Sequence, residues 1–327
     1  MRRLARAAAW GALLLCLPAA ADPLDRPQCV APAKPGGGFD VTCRLVQKML
    51  ADAGAVAKPV EISFVPGGIG AVAYNAFVAK RSAESNTVVA FSSGSLLNLA
   101  QGKFGRYTED DVRWVAAFAA DHGAIVVPQN SPVRNLRDLE QLLRRDPSKV
   151  IFGGGGGVGS QDWMKAAVTA RALGVGFKSI RFVAFEGGGE AIKALRGGHI
   201  HVFAGDAAET LQQLGDGGIR IIAVLAPERL SGSLRPIPTA REQGYNIQWE
   251  TIRGVYLGPK VPDADYQAWV EAFRKAMSRP EYAQMLEERG LSPFPLTGPQ
   301  LQEHVKKSVA EYRKLAAQFG LRLSSSP

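Results

Sequence analysis

The sequence predicts an α/β protein built from two lobes. Three observations lead there: short β-rich runs alternate with amphipathic segments, glycines cluster where the runs end, and two long extended stretches interrupt the alternation. The β-rich runs are 59–65, 86–94, 149–157, 179–189, 199–206 and 219–226, and helical spacing of apolar residues follows in 40–50, 161–173 and 190–195. Strands alternating with helices imply largely parallel sheets. The extended stretches 113–133 and 249–262 read as two crossings between lobes, with a hinge. Beyond the second, the chain reads helical from 264 to 320. This divides the chain into residues 22–124 with 252–327 as one lobe and 125–251 as the other.

Residues 1–21 stand apart. Arg2, Arg3 and Arg6 precede an apolar run from Ala7 to Leu17, and small residues lead up to Ala21. That is the pattern of a cleaved export signal, and the run is too short to span a bilayer. Cys16 lies inside the run without the small residues of a lipidation site. The expectation is a soluble periplasmic protein. Loss of the three arginines lowers the formal charge from +9 to about +6, which favours anionic partners. The basic residues are scattered, with no aromatic platform among them, so nucleic acid is not an expected partner. Cys29 and Cys43 survive cleavage. Two cysteines in an exported chain read as a disulfide, with two buried thiols the alternative.

The glycine-rich stretches fall where strands end and helices begin: 36–38, 67–70, 92–95, 153–159, 187–189 and Gly205. That edge of an α/β sheet is where ligands bind, and it presents helix N-termini with free N–H groups to an anion. Any one such stretch is read more simply as a tight turn; the repetition carries the argument. Enzyme readings are weaker. Gly154-x-Gly156-x-x-Gly159 satisfies a dinucleotide fingerprint, but in a run of five glycines that match is nearly automatic, and no acidic residue follows at the required spacing. There is no Gly-Lys-Ser/Thr step and no Gly-x-Ser-x-Gly elbow. His122, His199, His201 and His304 suggest neither a triad nor a metal set. Asp40 and Asp162 each open a helix, where a first-turn acid is commoner than a catalytic one. No cofactor and no metal are expected.

The stretches CVAPAKPGGGFDVTC (29–43), VPGGIGAVAYNA (65–76), SLLNLAQGKFGRY (95–107), GSQDWMK (159–165), VAFEGGGE (183–190), IPTAREQGY (237–245) and IRGVYLGPKV (252–261) together resemble the Bug family. These are the periplasmic substrate-binding proteins of tripartite tricarboxylate transporters, and the chain is most similar to the citrate-type branch. The resemblance covers nearly all the chain after the signal. It implies a bilobal type II periplasmic-binding-protein fold without catalysis, a monomer that closes on a small carboxylate and serves a membrane permease. It implies that Pro35, Gly36, Gly37, Gly38, Phe39 and Asp40, with Gly67, Gly68 and Gly70, cradle one carboxylate. It implies that Ser92, Ser93, Gly159, Ser160, Gln161, Asp162, Glu186, Gly187 and Asp206 line the rest of the cleft. Glycine lets the ligand reach the amides, and a Cys29–Cys43 bridge would hold the first loop ready. A trianion needs more than amides, and Arg253 on the second crossing is the candidate for its outermost carboxylate, because a guanidinium fork suits that geometry. The extra glycines in 36–38 and 153–157 depart from the citrate type and leave the exact ligand open. An exported nucleotide- or carboxylate-dependent enzyme, or a ligand-sensing partner of a signalling receptor, are the alternatives.

Overall fold

The computed structural model describes residues 22–321, so the expected signal at 1–21 lies outside the described residues. In chain order the first elements are β1 (Gln28–Ala31), α1 (Gly38–Asp52), β2 (Glu61–Phe64), α2 (Ala71–Ala79), β3 (Thr87–Ser92) and α3 (Ser93–Ala100). The long strand β4 (Arg113–Pro128) follows, then α4 (Leu136–Arg145), β5 (Ile151–Gly155), α5 (Gln161–Ala172), β6 (Arg181–Phe185) and α6 (Gly188–Arg196). Next come β7 (Val202–Asp206), α7 (Ala207–Leu214), β8 (Ile219–Leu225) and β9 (Glu250–Leu257). The chain ends with α8 (Asp263–Met277), α9 (Glu281–Glu287), β10 (Ser292–Thr297) and α10 (Gly298–Gln318).

The strands run in the order β2-β1-β3-β9-β4-β7-β5-β6, with β8 and β10 also paired to β4. Strand β4 is the shared element. From Arg113 to His122 it pairs with β9, and from Gly123 to Pro128 it pairs with β7 and β8. Each half of the molecule therefore hangs on one half of one strand. The parallel pairs are β1–β2, β1–β3, β5–β6 and β5–β7. Every pairing of β4, and that of β3 with β9, is antiparallel. The sheet is thus mixed rather than largely parallel, because the two crossings enter it as strands of opposite sense.

Helices cover both faces of each half. Leu45, Val46 and Met49 of α1 pack with Trp269 and Phe273 of α8 on one face, while Leu301, Val305 and Val309 of α10 pack with Leu96 and Trp114 on the other. In the second half, Leu139 and Met164 lie on one face and Ile192 and Leu195 on the other. The region past 262 is not helical throughout. Ser292–Thr297 is a strand, hidden in sequence by two prolines, and it sits beside β4 where few ladder donors are needed. The end of α10 also reaches the second half, where Phe319 packs on Trp163 and Phe177.

Cys29 on β1 and Cys43 on α1 are bridged, at a sequence separation of 14. Closing so short a loop removes roughly 3 kcal/mol of unfolded-chain entropy in the usual model. The Cys29→Ala/Cys43→Ala double variant is therefore expected to lose about 3 kcal/mol in urea unfolding, while an unchanged midpoint would show that the bridge adds nothing.

Candidate functional site

Five helices begin at one cavity between the halves: α1, α3, α5, α6 and α7. The cavity is lined by Gly37, Gly38, Phe39, Ser92, Gln161, Asp162, Glu186, Gly187, Asp206 and Arg253, all anticipated from sequence. It is also lined by Ile69, Gly94, Gly155 and Gly188, which fall within the glycine-rich stretches, and by Ala33, Asn98 and Glu209, which were not anticipated. Its volume is about 50 Å³, and it opens past Ile69, Asn98 and Glu186 into an outer chamber of about 530 Å³ that Gly68 and Ser160 border. Pro35, Gly36, Asp40, Gly67, Gly70, Ser93 and Gly159 line neither space. They shape the loops instead: Asp40 accepts from the Gly36 N–H at 2.8 Å, and Ser93 Oγ accepts from the Ile252 N–H at 2.9 Å.

The five helix N-termini differ in one respect. Ser92 caps α3, Ser160 caps α5, and Asp206 with Glu209 forms a capping box on α7. The N-caps of α1 and α6 are Gly37 and Gly187, which carry no side chain to cap with. The first helical bonds run from Val41 to Gly37 and from Ala191 to Gly187, at 3.1 and 3.3 Å. Among the described residues, the N–H groups of Gly38, Phe39, Gly188 and Gly189 before them donate to no acceptor, and they carry the positive end of each macrodipole. Closeness demands the glycines: a Cβ on Gly188 would stand 2.3 Å from Glu209 Oε2, and one on Gly189 would stand 2.7 Å from the Pro35 carbonyl oxygen. The two loops touch, so the cleft is closed. Lys34 adds a 2.5 Å ion pair to Glu190 across it, although both are too exposed for that pair to contribute much.

The glycine run at 153–157 does not form a nucleotide seat. Asp162 Oδ2 accepts from the Gly155 N–H at 2.7 Å, and a Cβ on Gly154 would lie 2.5 Å from Asp162 Cβ. The start of α5 is already filled by its own carboxylate. Among the described residues no cluster of His, Cys, Asp or Glu is grouped to hold a metal.

Below the cavity floor lies a buried charge network. Asp206 accepts from Lys165 Nζ at 2.5 Å, Gln161 Nε2 at 3.0 Å, Arg253 Nη2 at 3.1 Å and Thr251 Oγ1 at 3.1 Å. Lys165 also donates to Asp162 at 2.9 Å. Arg253 donates to Asp121 through Nε at 3.0 Å and through Nη2, and to the Gly38 carbonyl through Nη1 at 2.8 Å. Burial disfavours the charge of Asp206, but Lys165 and Arg253 outweigh it and hold the carboxyl below its usual range. Glu209 has no such cation in contact. Burial, with Asp206 and Asp162 as like-charged neighbours, pushes its carboxyl up to about 8. The network thus places three carboxyl groups beside two cations; burial pushes those of Asp121 and Asp162 up, while the cations hold that of Asp206 down.

Arg253 borders the cavity as expected but is only 1% exposed, and internal acceptors engage each of its guanidinium nitrogens. It joins β9 to β4, β7 and the α1 loop. Glu209 had a legible signal, the Asp206-x-x-Glu209 capping box. Asn98, one turn into α3, had none.

Residues 43–321 match the model of the tripartite tricarboxylate transporter family receptor. The chain belongs to that family. It is one of binding proteins rather than enzymes. A UPF0065 protein of Cupriavidus necator is 25% identical over 212 residues, covering 64% of this chain and 63% of that one. The solved periplasmic binding protein BugD superposes with a TM-score of 0.80 at 17% identity, over 91% of this chain and 98% of its own. MatC from Rhodopseudomonas palustris, solved with bound malate, gives 0.74 at 20% identity, over 90% and 99%. At these identities the structures establish the bilobal fold.

Two outcomes are expected. Arg253→Met should cost roughly 3–5 kcal/mol, because it leaves Asp121 and Asp206 buried without their partner; urea unfolding reads this, and a loss below about 1 kcal/mol would place the arginine outside the structural network. Glu209 keeps its proton in the fold up to about pH 8 but loses it near its ordinary value when unfolded. The folded state binds the extra proton between those values, so stability falls as pH rises through that window. Glu209→Gln should therefore raise Tm more at pH 8 than at pH 5; an equal effect at both would contradict the assignment.

Proposed function

We propose that the chain is a periplasmic receptor that closes on one small carboxylate and delivers it to a tripartite transporter permease. The observation that carries this is the pair of uncapped N-termini, α1 from one half and α6 from the other. An anion seated between them satisfies amides from both halves at once, and charge-assisted bonds of this kind are the stronger sort. Because the loops meet only when the halves are together, the ligand favours the closed state. We place the hinge at the two crossings, which divides the chain into 22–124 with 252–327, and 125–251. The bound malate of a fold neighbour supports a carboxylate in this cleft.

A mono- or dicarboxylate suits the cavity better than a tricarboxylate. Asp162, Glu186, Asp206 and Glu209 line it, and Arg253, the one cationic residue of the lining, is already neutralised. A trianion would meet these acidic side chains with no free cation in the inner lining.

A thermal-shift panel of acetate, propionate, succinate, malate, adipate, citrate, NAD and ATP tests the reading. A ligand at 100 times its Kd adds about 2.7 kcal/mol. A mono- or dicarboxylate is expected to raise Tm, citrate to raise it less, and Gly188→Ala to lose the shift. Deleting the protein should abolish cellular uptake of the same acid. A response to nucleotide alone would overturn the proposal, and citrate as the strongest ligand would overturn its charge argument.

A further inference from the structure

We propose that Glu209 meets the ligand as a hydrogen-bond donor: its carboxyl carries a proton on Oε2 and points it at the ligand's carboxylate. This rests on the carboxylate reading above and adds one side-chain donor to the helix amides.

Glu209 is the third residue of α7 and is 3% exposed. Its Oε1 accepts from the Asp206 N–H at 3.0 Å, which completes the capping box. Among the described residues Oε2 accepts no hydrogen bond, and the residue borders the inner cavity. A Cβ on Gly188 would collide with Oε2, and one on Gly37 would stand 3.6 Å from it. Gly37 caps α1 and Gly188 opens α6. The free oxygen therefore sits where the two bare helix ends converge, at the seat proposed for the ligand's carboxylate.

The two charge states of Glu209 act in opposite ways there. An ionised Oε2 sets one buried carboxylate against another. A protonated Oε2 becomes a donor, and an O–H donating to a carboxylate makes a short, strong bond. The surroundings select the protonated form. Asp206 faces Glu209 from α7, Asp162 and Lys165 from α5, and Arg253 from β9. Glu186 stands elsewhere on the cavity wall, and α1 and α6 meet Glu209 with the uncharged Gly37 and Gly188. Both cations are held by Asp121, Asp162 and Asp206. Burial and the acidic neighbours then push the Glu209 carboxyl up to about 8.

The receptor is thereby proton-linked. Below about pH 8 the donor is in place; as pH rises through that value Oε2 ionises and affinity for an anion falls.

Isothermal titration with succinate, malate and adipate at pH 7 and pH 9 tests this, because these acids stay ionised over that range. For an acid that binds, Kd should be about tenfold weaker at pH 9. Binding there should also take up protons, read on the unmodified protein from buffers of different ionisation enthalpy. Glu209→Gln cannot ionise and should hold one Kd at both pH values within about twofold. Lys103, which borders the outer chamber, is the control, since burial lowers its ammonium to about 8; Lys103→Met should keep the tenfold ratio. An equal Kd at both pH values in the unmodified protein, proton release on binding, or a pH dependence that survives Glu209→Gln overturns the inference alone. Failure of all three acids to bind at pH 7 removes the carboxylate reading and this inference with it.

Discussion

The structure depends on how Asp206 is satisfied. This carboxylate closes β7 and opens α7, and it takes donors from Lys165 on α5, from Gln161 at the start of α5, and from Thr251 and Arg253 on β9. Burying an unpaired carboxylate costs several kcal/mol. With four donors around it, the carboxylate becomes a joint. Arg253 extends the joint to Asp121 on β4 and to the first turn of α1. Both crossings between the halves, and the cradle loop itself, are fixed relative to one buried group.

That joint determines which helix ends are available. Aligned helices that begin at one cavity would leave many N–H groups bare. The protein caps α3 and α5 with serine and α7 with its own acids, and places glycine at α1 and α6. The bare ends lie on opposite halves, so the anion we propose between them would bond to amides of both. The surrounding acids oppose excess negative charge, which restricts the ligand further.

Much of the fold was legible because it rests on local chemistry. The β-rich runs and the glycine turns after them mark β2, β3, β5, β6, β7 and β8, and the family resemblance together with the second crossing pointed to ten residues of the cavity lining. Strand β10 was not legible, since Pro293 and Pro295 conceal it. The mixed sense of the sheet was hidden too, because it follows from where the crossings enter rather than from periodicity. Arg253 shows the limit most clearly. Its position on a crossing was readable, but its partners lie 132 and 47 residues away in sequence, and only folding reveals that they already match its charge. Asn98 sits in an ordinary helical turn and acquires meaning only from the cavity it faces.

The central claim is that the ligand's carboxylate is held by the bare amides of α1 and α6. The most direct measurement is an assigned ¹H–¹⁵N spectrum of the oxidised protein, titrated with whichever acid raises its Tm most. The account predicts that Gly38, Phe39, Gly188 and Gly189 show the largest amide shifts and that all four move with one binding curve. Largest shifts at the capped ends, at Gly94 or Trp163, with those four unmoved, would contradict it.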